Sequence, residues 1–285
     1  MITKVNVNDC GMGDALNARA FITTYCDAKN IKRSSIKLYA IKHWWMFEGM
    51  GFTKSLNRYE FVGHNLTPFN NFGFYDLKKT DNSLELDVSI ARSAGIDFSY
   101  ETIVPLPKYD APQINLPEKF ITFNTGYNRM NLNDPNFLCL KEWPLEYWEE
   151  LISLIDIPCI QIGSGPTCKI AKNSYMNLVN KFTIKQSAEI MRKALFHIDI
   201  EGGLSVLNQH LGKKSVVLFG PTAIQNQGRS FNLNISSNTC EPCYEWGIKR
   251  KSLYTNKNVV RCNAHCMTDL KPEYVVEQIY KNKWL

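Results

Sequence analysis

Three turns and one set of cysteines carry the residue types that do chemistry in this sequence. The first turn is Cys10-Gly11-Met12-Gly13-Asp14, between a β-rich run and a helical pattern. Two glycines let the backbone approach a ligand closely, and a helix starting there offers unpaired N–H groups to an anion. Asp14 has two readings, a helix cap or a carboxylate that takes the proton of an attacking hydroxyl. A dinucleotide fingerprint would need a third glycine where Asn17 stands, so NAD is not the expected ligand. The second turn is Glu201-Gly202-Gly203-Leu204-Ser205, where an apolar run passes into a carboxylate, two glycines and a helix. The glycines and helix start suit a diphosphate. Glu201, itself an anion, is expected on a sugar or ribose hydroxyl, or as a plain cap of the turn. The third is Lys141-Glu142-Trp143-Pro144, opening a helix, with Thr125 ending the strand before it. A lysine facing strand ends can neutralise a departing nucleoside diphosphate; without its Trp-Pro context it would read as an ordinary surface residue. Gly163-Ser164-Gly165 closes another strand, and Gly163 and Ser164 join the candidate ligand contacts.

The cysteines fall into two groups. Cys10, Cys26, Cys139, Cys159 and Cys168 are scattered and read as small buried apolar side chains. Cys240-Glu-Pro-Cys243 and Cys262-Asn-Ala-His-Cys266 form two close pairs separated by 18 residues. Such pairs converge on one tetrahedral ion when the intervening chain returns. Zinc and iron both suit four thiolates, and free thiols or a disulfide are the alternatives. Four thiolates leave no coordination position open, so the ion is expected to be structural. His265 is expected to face solvent.

These turns need elements to hold them. Ile2–Val7 and Ile36–Ile41 read as strands, with a helix over Asp14–Asp27 and another over Ser83–Gly95. Glu48–Thr80 lacks a period and reads as long loops. Pro105, Pro107, Pro112 and Pro117 mark a linker. Beyond it, strands at Phe120–Phe123, Cys159–Ile162, Leu195–Ile200 and Ser215–Phe219 alternate with helices at Leu145–Ile155, Ile184–Lys193, Gly202–Leu211 and Glu273–Tyr280. Strand–helix alternation predicts parallel sheets covered by helices. The expected architecture is therefore α/β, two Rossmann-like domains over residues 1–112 and 113–285 facing each other across a cleft. The second carries a small cysteine finger over residues 239–267. That is the GT-B arrangement, although the pattern alone is shared by other two-domain nucleotide binders.

The chain has 285 residues, 44% hydrophobic and 21% charged, which excludes a largely disordered protein. No run reaches the roughly 18 apolar residues of a membrane span. No secretory signal is visible in the first residues, so the expected location is cytoplasmic. A net charge of +6 suits anionic substrates or an anionic membrane surface without implying nucleic acid. Lys249, Arg250, Lys251, Lys257 and Arg261 share one stretch with a single acid, Glu245. They read as a solvated face, or as an acceptor or membrane contact. A metal-finger nucleic-acid binder is the competing class. It leaves the glycine turns and Lys-x-Trp-Pro unexplained, and the stacking aromatics expected for single strands are not concentrated there.

Gly11-Met12-Gly13-Asp14, Lys141-Glu142-Trp143-Pro144, Glu201-Gly202-Gly203-Leu204-Ser205 and Gly212 followed by Val216-Val217-Leu218-Phe219-Gly220-Pro221-Thr222 occur in that order. Together they resemble glycosyltransferase family 9, the ADP-heptose heptosyltransferases, over residues 119–222 and at residues 1–27. The resemblance implies a GT-B fold and an inverting, metal-independent transfer. It implies Asp14 as catalytic base, Lys141 as the diphosphate-binding lysine and the turn Glu201–Leu204 as donor-binding; Gly13, Thr125, Gly163, Ser164 and Ser205 complete the expected donor contacts. The paired cysteines resemble the finger of the autotransporter heptosyltransferase branch, which holds iron. Where the family has aspartate and histidine around its donor turn, this chain has Glu201 and Val206, and Ala223 follows Thr222 in place of an aspartate. The expected partners are a nucleoside-diphosphate heptose and a glycan or protein hydroxyl. A different nucleotide-sugar transferase, or an inactive relative on the same fold, is the alternative. A second copy of the chain and a membrane surface are further candidate partners.

Overall fold

The computed structural model describes residues 4–8, 11–57, 96, 98–99, 101–126, 137–237, 239–242, 244–245, 249–250, 254–256 and 264–285. The helix expected over Ser83–Gly95 lies outside the described residues, as do Ile2 and Thr3 of the first expected strand. The chain forms two compact units and passes from the first to the second between Leu106 and Pro107.

In the first unit, β1 (Lys4–Asn6), β2 (Lys37–Tyr39) and β3 (Thr53–Ser55) form a parallel sheet in that order. Helix α1 (Met12–Ala28) follows β1 and starts earlier than its apolar pattern, because Gly11 serves as its N-cap. It buries Leu16, Phe21, Ile22 and Tyr25, and Phe21 meets Phe98 edge-on at 5.3 Å. Arg19 is buried on the same helix. Its guanidinium donates to the carbonyls of Met46 at 2.6 Å, Val104 at 2.6 Å and Pro105 at 2.9 Å. The strand expected over residues 36–41 ends at Tyr39, since Ile41–Met46 winds into a 3-10 turn begun by His43 N–H on Ala40 O.

The second unit has six strands in one parallel sheet. They are β4 (Ile121–Phe123), β6 (Cys159–Gln161), β7 (Met176–Asn177), β8 (His197–Ile200), β9 (Ser215–Phe219) and β10 (Leu233–Ser236), while β5 (Phe137–Cys139) lies apart. The order is β10-β9-β8-β4-β6-β7. Counted along the chain from the β7 edge, this is the 3-2-1-4-5-6 order of dinucleotide-binding sheets. The winding reverses between β4 and β8, and in open α/β sheets ligands bind beyond the carboxyl ends at such a point.

Helices α2 (Leu145–Ser153), α3 (Ile184–Lys193), α4 (Gly203–His210), α5 (Ile224–Gln227), α6 (His265–Thr268) and α7 (Pro272–Lys281) complete the unit. One sheet face is dry: Phe123, Ile198, Ile200, Val216, Leu218 and Ile235 pack with Trp148 and Leu151 of α2, Met267 of α6 and Val275 and Ile279 of α7. The other face carries Thr122, Asn124, His197 and Asp199, all buried. Helix α3 begins with a capping box in which Thr183 and Gln186 satisfy each other's backbone N–H.

The proline-rich stretch is tied down at its start. Beyond the two carbonyls held by Arg19, Pro107 O accepts from Arg192 Nη2 at 3.0 Å and Tyr109 N–H donates to Glu189 Oε1 at 2.9 Å. Between these anchors lies Leu106, itself buried.

Sequence reading missed the short strands. Among them, β11 (Tyr244–Glu245) pairs antiparallel with β12 (Lys249–Arg250), and β13 (Tyr254–Asn256) with β5. No described helix is long and apolar enough to cross a membrane.

Candidate functional site

Lys141 is positioned by the residue two places after it. Trp143 is buried, edge-on to Trp148 at 4.8 Å, and its Nε1–H donates to Leu270 O at 2.8 Å. Glu142 N–H closes a turn onto Cys139 O at 3.1 Å, and Pro144 then starts α2. An indole this size buries enough apolar area to fix the backbone around it. This is the physical content of the Lys-x-Trp-Pro pattern: the tryptophan is an anchor and the lysine is what it presents.

The lysine meets the second turn. Lys141 Nζ forms an ion pair with Glu201 Oε2, and Thr222 Oγ1 donates to the same oxygen at 3.1 Å. Glu201 follows β8 directly, its N–H bound to Leu218 O at 3.0 Å. Gly202 is the N-cap of α4, and no side chain caps that helix. Ser205 turns its hydroxyl inward onto Gly202 O at 2.7 Å. A Cβ added at Gly202 would meet only Ile200 O, at 3.6 Å, an ordinary contact among the described residues. Internal packing therefore does not require glycine there. Lys141, Glu201, Thr222 and the bare amino end of α4, with Gly203 and Leu204 in its first turn, thus come together beside the reversal point of the sheet. A bare helix end with an adjacent lysine is chemistry for a phosphate.

The other strand ends form the floor. Asn124 Nδ2 donates to Gly126 O at 2.9 Å and to Asp199 Oδ1 at 3.1 Å, while its Oδ1 accepts from Gly126 N–H at 3.0 Å. The Cys168 thiol donates to that same oxygen at 3.4 Å; burial pushes it upward, so it stays protonated. Below lie His197 Nε2, 3.5 Å from Asp199 Oδ2, and Thr122 Oγ1, 3.0 Å from His197 Nδ1. Burial raises the Asp199 carboxyl above its ordinary range, against the lowering influence of His197 and Asn124. Gly163 has φ +132°, and a Cβ there would sit 2.4 Å from Asn124 Oδ1 and 2.6 Å from Cys168 Sγ. Its glycine is thus accounted for by packing. The Thr125 hydroxyl is also committed internally, donating to Lys169 O and accepting from Gln161 Nε2 at 3.0 Å. Ser164 is exposed.

Sequence reasoning missed Asn124, His197 and Asp199. A signal was present: His197 and Asp199 alternate with isoleucines in an otherwise apolar strand, which puts two polar groups on one buried face.

In the first unit, Gly13 lies in the first turn of α1 and Asp14 is exposed there. A Cβ on Gly11 would lie 3.1 Å from Asp14 Oδ2, so the carboxylate rests over the positive end of the helix. Of the four expected metal ligands, Cys243 and Cys262 lie outside the described residues. Cys240 is exposed, and Cys266 is buried in α6 beside Gly220, the residue after β9. Among the described residues no three His, Cys, Asp or Glu side chains group as metal ligands do. The segment expected as a plain return loop instead contains the β11–β12 hairpin and β13. The side chains of the basic stretch from Lys249 to Arg261 also lie outside the described residues.

Comparison with solved structures decides the architecture. The iron-containing dodecameric glycosyltransferase TibC from enterotoxigenic E. coli H10407 aligns with 98% of this chain and 75% of its own, at TM-score 0.68 and 14% identity. Dodecameric iron-containing heptosyltransferase TibC in complex with ADP-D-beta-D-heptose aligns with 98% and 76%, at TM-score 0.66 and 14% identity. A glycosyl transferase family 9 protein from Veillonella parvula DSM 2008 aligns with 98% and 96%, at TM-score 0.65 and 12% identity. The fold is GT-B. No family profile matches the chain. A segment of 91 residues is 30% identical to lipopolysaccharide heptosyltransferase 1 of Escherichia coli strain K12, covering 29% of this chain and 28% of that protein. The match thus spans under a third of that curated relative. The local identity is to a lipopolysaccharide heptosyltransferase, and the fold is one shared with a family 9 glycosyl transferase.

Proposed function

We propose that this chain transfers a heptose from a nucleoside-diphosphate heptose, ADP-heptose foremost, to a hydroxyl of a bacterial surface glycan or protein. The observation that carries this reading is the grouping of Lys141, Glu201 and Thr222 with the uncapped amino end of α4, beside the reversal point of a dinucleotide-type sheet. The donor diphosphate lies on the N–H groups of Gly203 and Leu204, and Lys141 neutralises the charge that grows on it. Asp14 takes the acceptor proton as that hydroxyl oxygen attacks the anomeric carbon. The bond from that carbon to the diphosphate breaks, and the electron pair leaves with ADP. Binding energy on the diphosphate holds the two reacting atoms in line. In this assignment residues 1–112 receive the acceptor and residues 113–285 the donor. Support comes from the fold shared with a heptosyltransferase solved with ADP-D-beta-D-heptose and from local identity to a lipopolysaccharide heptosyltransferase.

Cys240, Cys243, Cys262 and Cys266 fit one structural zinc or iron ion by donor chemistry. Two close cysteine pairs are the donor set that a tetrahedral four-thiolate ion takes. Such an ion supplies folding energy and leaves the transfer step to the side chains above.

Thermal unfolding with ADP-heptose, GDP-mannose and UDP-glucose tests the assignment, since a ligand at 100 times its Kd stabilises by about 2.7 kcal/mol. ADP-heptose should raise Tm and release ADP when a heptose-deficient lipooligosaccharide is added. Failure of all three nucleotide sugars to raise Tm overturns the proposal.

A further inference from the structure

The cation of the donor site is occupied by an anion of the same protein. Lys141 and Glu201 stand 60 residues apart in the chain, and each side chain is 18% exposed. Thr222 fixes the carboxylate by donating to the oxygen that the lysine also contacts, at 3.1 Å. A lysine withdrawn this far from water needs a counter-charge, and Glu201 supplies it. Yet Glu201 immediately precedes the uncapped end of α4, where a phosphate would bind. The carboxylate and a phosphate cannot both take the same N–H of the lysine, and they repel each other if both stay near it.

We infer that the Lys141–Glu201 pair is an exchange latch that tunes the site for phosphate. Glu201 holds Lys141 in the ligand-free protein, and a phosphoryl oxygen replaces the carboxylate on Nζ when a nucleotide binds. This inference rests on reading the site as one for a nucleoside diphosphate. The exchange taxes every phosphate-bearing ligand and leaves a bare nucleoside untaxed. It also limits how tightly the product nucleotide is held, so departure of the nucleoside diphosphate stays fast. Glu201 then acts through Lys141 as a positioning residue, distinct from a ligand of the ribose.

Calorimetric titration with adenosine, AMP, ADP and inorganic pyrophosphate tests it. The proteins are the wild type, Glu201→Gln, Lys141→Gln and the double variant, with Glu201→Ala where the amide folds poorly. The latch predicts that Glu201→Gln tightens ADP and pyrophosphate by about tenfold and leaves adenosine unchanged. It also predicts that the same substitution has little effect once Lys141 is glutamine. Weakening of adenosine, AMP and ADP alike makes Glu201 a hydroxyl ligand and overturns the latch. Equal tightening in the Lys141→Gln background makes it a through-space repulsion and overturns it too. A wild type that binds none of the phosphate ligands removes the proposed function itself, and the latch with it.

Discussion

Replacing Gly163 and, in a separate protein, Gly202 by alanine distinguishes a glycine needed by packing from one needed by a ligand. At Gly163 the new Cβ would stand 2.4 Å from Asn124 Oδ1 and 2.6 Å from Cys168 Sγ, at φ +132°. The backbone strain contributes at least about 1 kcal/mol. Asn124 has to move, and it is tied to Gly126 N–H and O and to Asp199. Losing two of those bonds costs about 1 kcal/mol each, and leaving the buried Asp199 without its amide partner adds about 1.5–3 kcal/mol. The total is about 4.5–6 kcal/mol, or a fall in Tm of roughly 10–20 °C for a unit of this size. Gly202→Ala meets only Ile200 O at 3.6 Å. The weaker N-cap and the stiffer unfolded chain act in opposite directions, so its stability should stay within about 1 kcal/mol of wild type. Its methyl group, however, covers the bare end of α4, and ADP affinity should fall about tenfold, the loss of one hydrogen bond to a charged group. Differential scanning fluorimetry gives the first quantity and calorimetry the second. Equal losses of Tm in the two variants, or undiminished ADP binding by Gly202→Ala, would refute the reasoning.

Asp14→Ala should lower turnover by at least about 100-fold, the usual worth of a general base, with ADP-heptose affinity nearly unchanged; wild-type turnover in that variant removes Asp14 from the chemistry. Burial raises the Asp199 carboxyl above 3.8, so the native protein keeps that proton to higher pH than the unfolded chain. The resulting stability is present below 3.8 and is lost as pH rises through the native value. Asp199→Asn should therefore show a flatter Tm profile across that interval, and a wild-type profile rising more steeply there than the variant's contradicts the assignment. Cys243→Ser should reduce Tm and soluble yield more than turnover, and elemental analysis should find about one zinc or iron per chain. Wild-type stability in metal-free protein, with the four thiols open to alkylation, would end the metal proposal.

The central strands of the second unit were legible because each is a short β-rich run between helical patterns, most plainly at Ser215–Phe219. The edge strands were not. Met176–Asn177 is two residues long, and Leu233–Ser236 buries only Ile235 fully among polar neighbours, so neither leaves a pattern to detect. The same asymmetry holds for the site. The glycine turns and the lysine before Trp143 are local, and local chemistry announces itself in sequence. The meeting of Lys141, Glu201 and Thr222 depends on where the chain reverses its winding, which no window of residues contains. Glu201 therefore read as a hydroxyl ligand or a cap, and its ion pair came only from the structure.

The anchoring around Leu106 changes what kind of joint the proline stretch makes. Arg19 grips the carbonyls of Val104 and Pro105, while Arg192 and Glu189 grip Pro107 and Tyr109. Both residues flanking Leu106 are prolines with φ already set, and a residue that precedes proline is itself confined to extended backbone. The connection therefore has the degrees of freedom of a short pivot, and the thirteen residues from Pro105 to Pro117 do not act as a slack tether. Each grip stays within its own unit, Arg19 in the first and Arg192 with Glu189 in the second, so the freedom of the connection is concentrated at Leu106. Adding one glycine beside Leu106 would let out more play than doubling the length of the chain further along.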